Sequence, residues 1–281
     1  MEVHAEIHVF DLLRRAGRER QRAGTVFRAV LKACAPGKTL QGEFMKTATI
    51  KPMMLISITA ARISFWAAAL FLVLLATLHI LKPEYDPSWR MISEYEIGRF
   101  GWVMQLAFFS WAIASLSAIA AVWPQAKSII GYIGLVLLLI AATGMTIGGI
   151  FPSDPITTDP DAFSASGKMH NLGAALAIPA MPFAMAFISW VLTRGNQAWA
   201  SARRWLWLTV GIVWLSFVAL IFLAFVVAKE TFGPEVLIGY PNRLFVMGYS
   251  LWLMVVAWHA IQLSRQTAYR SLRYQVPLRA D

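Results

Sequence analysis

Several things are scarce in this chain of 281 residues, and each scarcity removes a class of protein. There is a single cysteine, Cys34, so no disulfide can form within the chain and no cysteine-pair metal site exists. Charged residues make up 14% of the chain, against roughly 25% in soluble domains. No Walker loop, dinucleotide-binding glycine loop, nucleophile elbow or His-Glu-x-x-His segment occurs. These absences disfavour a secreted disulfide scaffold, a water-soluble enzyme of the common nucleotide-binding types and a zinc protease. An enzyme with scattered polar residues at a membrane surface stays open.

Apolar residues are abundant instead. They form 58% of the chain, with 12 Trp and 17 Phe, and the mean hydropathy is +0.58. A helix needs roughly 20 apolar residues to cross a bilayer. Runs of that length predict six spans, at about 63–81, 102–122, 129–147, 172–193, 205–228 and 244–263. The fold class expected is therefore all-α: one six-helix transmembrane bundle over residues 45–264. Trp102, Trp123, Trp190, Trp205 and Trp207 fall near span edges, where amphipathic rings sit at headgroup level.

The net charge of +10 does not point to nucleic acid, because the bases lie beside apolar spans, where anionic lipid is the partner. Arg194, Arg203 and Arg204 join spans four and five, and Arg265, Arg270, Arg273 and Arg279 follow span six. The connections on the other side hold few bases. The bias places both termini in the cytoplasm of a cell membrane, which is the inner membrane in a Gram-negative bacterium. Residues 1–44 read either as a basic amphipathic helix on the lipid surface or as a poorly ordered tail, and Met45 offers a second start. Residues 265–281 form a basic cytoplasmic tail.

Polar residues worth attention cluster in the outer connections. The first holds Glu94, Glu96 and Arg99, spaced for a local ion network, with Ser93 placed to cap a short helix. The second holds Asp154, Asp159 and Asp161, hard oxygen donors that are weak candidates for a divalent cation, since their spacing matches no calcium loop. His170 and Asn171 begin span four, which Pro179 and Pro182 interrupt below them. Arg243 stands in the first turn of span six, where a cation is unfavourable unless an acid or an anionic headgroup offsets it. Small residues share helix faces at Ser110, Ala114 and Ala118, at Gly144 and Gly148, and at Gly173 and Ala177. Such faces suit close packing within a bundle or between copies of the chain.

The segments Ser93-Glu-Tyr-Glu-Ile-Gly-Arg-Phe-Gly-Trp102, Gly149-Ile-Phe-Pro-Ser-Asp-Pro155 and His170-Asn-Leu-Gly173, with Arg243 starting the last span, resemble a prokaryotic family known as domain of unknown function 998. The resemblance covers about Ile63 to Leu263. It implies a six-helix membrane protein and leaves the chemistry open.

The functional expectation is a polar cap on the outer face in which Glu94, Glu96, Arg99, Asp154, His170, Asn171 and Arg243 converge on a lipid headgroup or small polar ligand. Acids and bases sharing a cleft must pair with each other or with a ligand. One alternative is an enzyme acting on a lipid headgroup, with His170 as acid or base and Asp154 as its orienter or a metal ligand. Another is a small-solute transporter whose path passes the fourth helix. No cofactor is required by the sequence, and membrane lipids are the expected partners.

Overall fold

The computed structural model describes residues 52–273 apart from Gly195 and Glu230, with side chains described from 58 to 266. The basic segment 1–44 and the end of the C-terminal tail lie outside the described residues. Six long helices account for most of the chain: α1 Pro52–Leu81, α2 Gly101–Val122, α3 Ile129–Ile150, α4 Ala165–Thr193, α5 Arg203–Phe222 and α6 Gly239–Arg273. Each carries a stretch long and apolar enough to cross a membrane, which in α5 runs on through a π-helical turn to Ala228; the shortest is 22 residues, or about 33 Å at 1.5 Å per residue. No strand is found among the described residues.

Large apolar side chains face outward along these helices. Trp66 is 70% exposed, Leu215 74% and Phe225 75%. Soluble proteins rarely carry contiguous apolar surface on this scale, whereas a bilayer solvates it. The protein is a multi-pass membrane protein on that ground. α1 and α5 present most of their surface outward, and α6 is the most enclosed.

The helices pack in chain order, each against the next, and α6 returns to close against α1; the α4–α5 seam is the loosest. Inside the ring, the Trp111 indole of α2 stacks on Phe71 of α1 with centroids 4.4 Å apart, and Tyr249 of α6 meets its edge. Buried hydrogen bonds join helices through the apolar interior, among them one from Ser115 Oγ to Met145 Sδ at 3.9 Å. Ser115 and Tyr249 share one at 2.8 Å, and Trp252 Nε1 donates to Ser189 Oγ at 2.9 Å. The small-residue faces pack within the chain: Ser110, Ala114 and Ala118 are buried, and Gly144 faces Gly173 so closely that a Cβ there would lie 2.4 Å from the Gly173 carbonyl oxygen.

Several features differ from the sequence expectation, among them the start of α1 at Pro52 rather than near Ile63. α4 starts at Ala165 rather than near Leu172, because Ser164 caps it by accepting from the Gly167 N–H at 3.0 Å. Its polar first turns (Ser166, Lys168, His170) are tolerated at the membrane edge. α4 is also one continuous helix, with Pro179 and Pro182 inside it rather than breaking it; neighbouring helices sustain such prolines in a membrane. α6 starts at Gly239, where the backbone N–H donates to the Ser88 carbonyl of the connection between α1 and α2 at 2.9 Å.

Candidate functional site

The first connection folds into a 3-10 turn, Ile92–Glu96, before entering α2. Its cap is Met91, not Ser93; the Ser93 carbonyl instead accepts from Ser153 Oγ of the second connection at 3.0 Å. The chain then reverses sharply, with Gly98 at φ 74° and Phe100 at φ 65°. Gly101 follows because a Cβ there would lie 1.9 Å from the Glu96 carbonyl oxygen. This turn presses the Glu-Tyr-Glu segment into the bundle, and Glu94, Tyr95 and Glu96 are all buried.

Glu94 joins two connections. Its Oε1 accepts from Arg90 Nη1 at 2.7 Å and from the Ile156 N–H at 2.9 Å, while Oε2 accepts from the Met91 N–H at 2.9 Å. The sequence grouped Glu94 with Arg99, but the ion pair is with Arg90, one helical turn earlier on the same segment. Arg99 is exposed, its guanidinium over the Phe100 ring at 4.6 Å.

Glu96 reaches α4. Its Oε2 lies 3.2 Å from His170 Nδ1 and accepts from the Ser153 N–H at 3.2 Å, while Oε1 is buried without a partner. Burial raises the Glu96 carboxyl above the usual range, and the contacts with His170 and Ser153 offset part of that rise. His170 Nδ1 also bonds the Phe151 carbonyl at 2.9 Å. That carbonyl ends α3, and the residue four further on is Pro155, which has no N–H to give it. The imidazole therefore satisfies a helix end. Both acceptors sit on Nδ1, which assigns the proton to that nitrogen. The carboxylate touching His170 is thus Glu96; Asp154, expected as the orienter, is engaged elsewhere.

Asp154 accepts from the Ser164 N–H at 2.8 Å and from Ser164 Oγ at 3.0 Å, at the start of α4. Gly167 makes room for it, since a Cβ there would lie 2.0 Å from Asp154 Oδ2. Asp159 caps the short turn Pro160–Ala162 by accepting from the Asp161 N–H, and both stand exposed. Among the described residues no group of three or more His, Cys, Asp and Glu side chains is placed to hold a metal ion.

Two further cations of the cap, Lys82 and Arg243, bond Tyr95. Lys82 is buried and donates to the Tyr95 carbonyl at 3.1 Å and to the Ile97 carbonyl; burial lowers its pKa. Arg243 donates from Nε to His79 Nε2 at 2.9 Å, from Nη1 to the Arg90 and Gly239 carbonyls, and from Nη2 to Tyr95 Oη at 3.2 Å. The expected acid or headgroup is replaced by neutral acceptors that match the guanidinium fork. Since Nε2 of His79 accepts, its proton sits on Nδ1, which donates to the Leu75 carbonyl at 2.8 Å. Arg243 therefore clamps α1, the first connection and α6 together.

Beneath the cap lies a cavity of about 340 Å³. Glu94, Asp154, His170 and Asn171 line its polar part; Phe108, Trp111, Met145, Met181 and Phe245 form apolar walls from α2, α3, α4 and α6. Asn242 also lines it, held by accepting from the Ile92 N–H at 3.0 Å. Of the residues the sequence singled out, these four reach the cavity, Glu96 backs His170, and Arg99 and Arg243 are not in its lining.

A family model described as "Protein of unknown function (DUF998)" matches residues 65–259. The chain belongs to the DUF998 family. The match begins within α1 and ends within α6, so the cavity and the whole cap lie inside the DUF998 region. No curated protein and no solved structure matches the chain. Within this DUF998 cap, sequence reasoning missed Lys82, Arg90, Tyr95 and Asn242. Lys82 and Arg90 read as ordinary loop charges, and only the fold reveals that Lys82 is buried. Tyr95 stands between two acids, and nothing in its spacing signals that it is buried. Trp111 gave no polar signal because it sits mid-span.

Proposed function

We propose that the protein binds a lipid-like or small polar ligand in this cavity, at one face of the membrane. The observation that carries the reading is the cavity itself: about 340 Å³, within the range of ligand sites, with apolar walls and a few polar groups at one end. A fixed scaffold supports it, since Glu94 and Glu96 tie the first connection to the second and Asn242 ties it to α6. The positive-inside bias places this face outside the cell membrane and the termini in the cytoplasm. Labelled cysteines near Asp159 should react with an impermeant reagent from outside, and one at Ser201 should not; the reverse result overturns the orientation.

The binding test is retention of native lipid or ligand by purified protein, measured by mass spectrometry, with Ala174→Phe as the comparison. Ala174 lines the cavity from α4 without holding any of its polar groups. A folded Ala174→Phe protein should lose the retained species. Equal retention by both would refute binding in the cavity.

One contact favours an enzyme as the second reading. The Glu96–His170 pair places a carboxylate-oriented imidazole at the cavity, an arrangement suited to proton transfer. In that reading His170 is the acid or base and Glu96 its orienter.

A further inference from the structure

Charge around the cavity is unevenly placed. Three ionisable side chains line it, Glu94, Asp154 and His170, and no Lys or Arg does. Glu94 is matched by Arg90 at 2.7 Å, and His170 stands against Glu96 at 3.2 Å. Asp154 is different: its oxygens receive only the Ser164 N–H and hydroxyl, and no ion pair to it occurs among the described residues. Among the described residues it is the one formal charge lining the cavity without an ion-pair partner.

The cap's cations cannot supply that counter-charge in their present positions. Arg243 and Lys82 donate to acceptors around Tyr95, Arg99 lies over Phe100, and Lys168 is exposed on the first turns of α4 with no ion pair to Asp154 among the described residues. An anionic group entering the cavity would meet two carboxylates and no guanidinium or ammonium. A cationic group would meet Asp154.

The aromatic residues of the connections agree. Phe163 and Phe232 line the cavity from the second and third connections. Phe163 immediately precedes Ser164, the residue that holds Asp154. A carboxylate and aromatic rings lining one cavity suit an organic ammonium, which draws on both the charge and the ring quadrupoles. Below, Trp111, Met145 and Phe245 offer room for an apolar body, and Met adapts to irregular shapes.

We propose that the cavity takes an organic cation, a protonated amine or quaternary ammonium carried on an apolar body, with its nitrogen at Asp154 and its apolar part between α2, α4 and α6. This rests on the binding function proposed above and specifies the charge of the ligand. Two sources share this chemistry: a membrane amphiphile with a cationic head, and a water-borne hydrophobic cation.

The test uses the full chain in nanodiscs of phosphatidylglycerol, which contains no nitrogen. Radiolabelled decyltrimethylammonium, below its micellar concentration, is compared with decyl phosphate of the same chain length. The ammonium should bind at least tenfold more tightly, and Asp154→Asn should remove most of that preference while Asp161→Asn leaves it unchanged. Should Asp154→Asn not fold, Phe232→Leu replaces it and should weaken ammonium binding several-fold without strengthening phosphate binding. Competition by benzyltrimethylammonium as strong as that of the ten-carbon probe supports a water-borne cation; competition by long chains only supports a membrane amphiphile. Preferential binding of decyl phosphate that Ala174→Phe abolishes would overturn the cation assignment and leave the binding function standing. Binding of neither probe, with native retention also unchanged in Ala174→Phe, would overturn both.

Discussion

Removing the Glu94 carboxylate should loosen the whole cap. The side chain is 1% exposed and accepts three hydrogen bonds: from Arg90 Nη1 and from the Met91 and Ile156 N–H groups. Glu94→Ala leaves two backbone donors without acceptors, each costing about 1–3 kcal/mol when buried. Arg90 is half-buried, and the lost ion pair adds at most about 1 kcal/mol at such a site. The expected loss is therefore about 2–7 kcal/mol, a range that contains the roughly 3–5 kcal/mol seen when one partner of a buried pair is removed. Glu94→Gln keeps one carbonyl oxygen and turns an amide N–H₂ towards a donor, so its loss should be about half as large. Unfolding in mixed micelles with rising SDS, followed by far-UV circular dichroism, measures both. Amide exchange at Met91 and Ile156 should accelerate in Glu94→Ala. A loss below about 1 kcal/mol for Glu94→Ala, with unchanged exchange at Ile156, would refute the claim that this carboxylate joins the first connection to the second.

Gly144→Val should separate α3 from α4 and cost about 1–3 kcal/mol by overpacking, since a Cβ would lie 2.4 Å from the Gly173 carbonyl oxygen; Gly211→Ala on α5, with open space around it, should be neutral or slightly stabilising in the same unfolding assay. Glu96 governs a pH dependence. Its carboxyl titrates above its unfolded value in the native state, so between the two values the native state holds more protons and stability falls as pH rises. Glu96→Gln should flatten that slope from about pH 4.3 upward, and an unchanged slope in the variant would assign it to other groups. Tyr249→Phe should cost only about 1 kcal/mol, because Ser115 Oγ keeps its bond to the Trp111 carbonyl at 3.0 Å. A loss several times larger would show that the Tyr249 hydroxyl holds more than Ser115.

Some features were fixed by composition and spacing alone. Apolar runs of bilayer length leave helices as the only way to satisfy the backbone in lipid, so the six spans were readable without coordinates. Proline, glycine and acidic residues concentrated in the connections α1–α2 and α3–α4 marked the cap, and Glu94, Asp154, His170 and Asn171 do line one cavity. Helix starts were less legible, because a cap such as Ser164 lets polar residues extend a helix past its apolar run.

Partner choice was not in the sequence at all. Glu94 has Arg90 four residues before it and Arg99 five after it, and the turn at Gly98 to Gly101 leaves Arg99 exposed while Arg90 stays against the carboxylate. His170 takes Glu96 from a segment 74 positions away, because α3 ends beside α4 and leaves its Phe151 carbonyl to be satisfied. Arg243 needed an acceptor in the membrane edge, and sequence logic supplied an acid; the tertiary structure supplied His79, Tyr95 and two carbonyls instead. Hydrophobic periodicity acts locally and is read along the chain, whereas the pairing of buried charges depends on which helix ends meet, and only the packed bundle decides that.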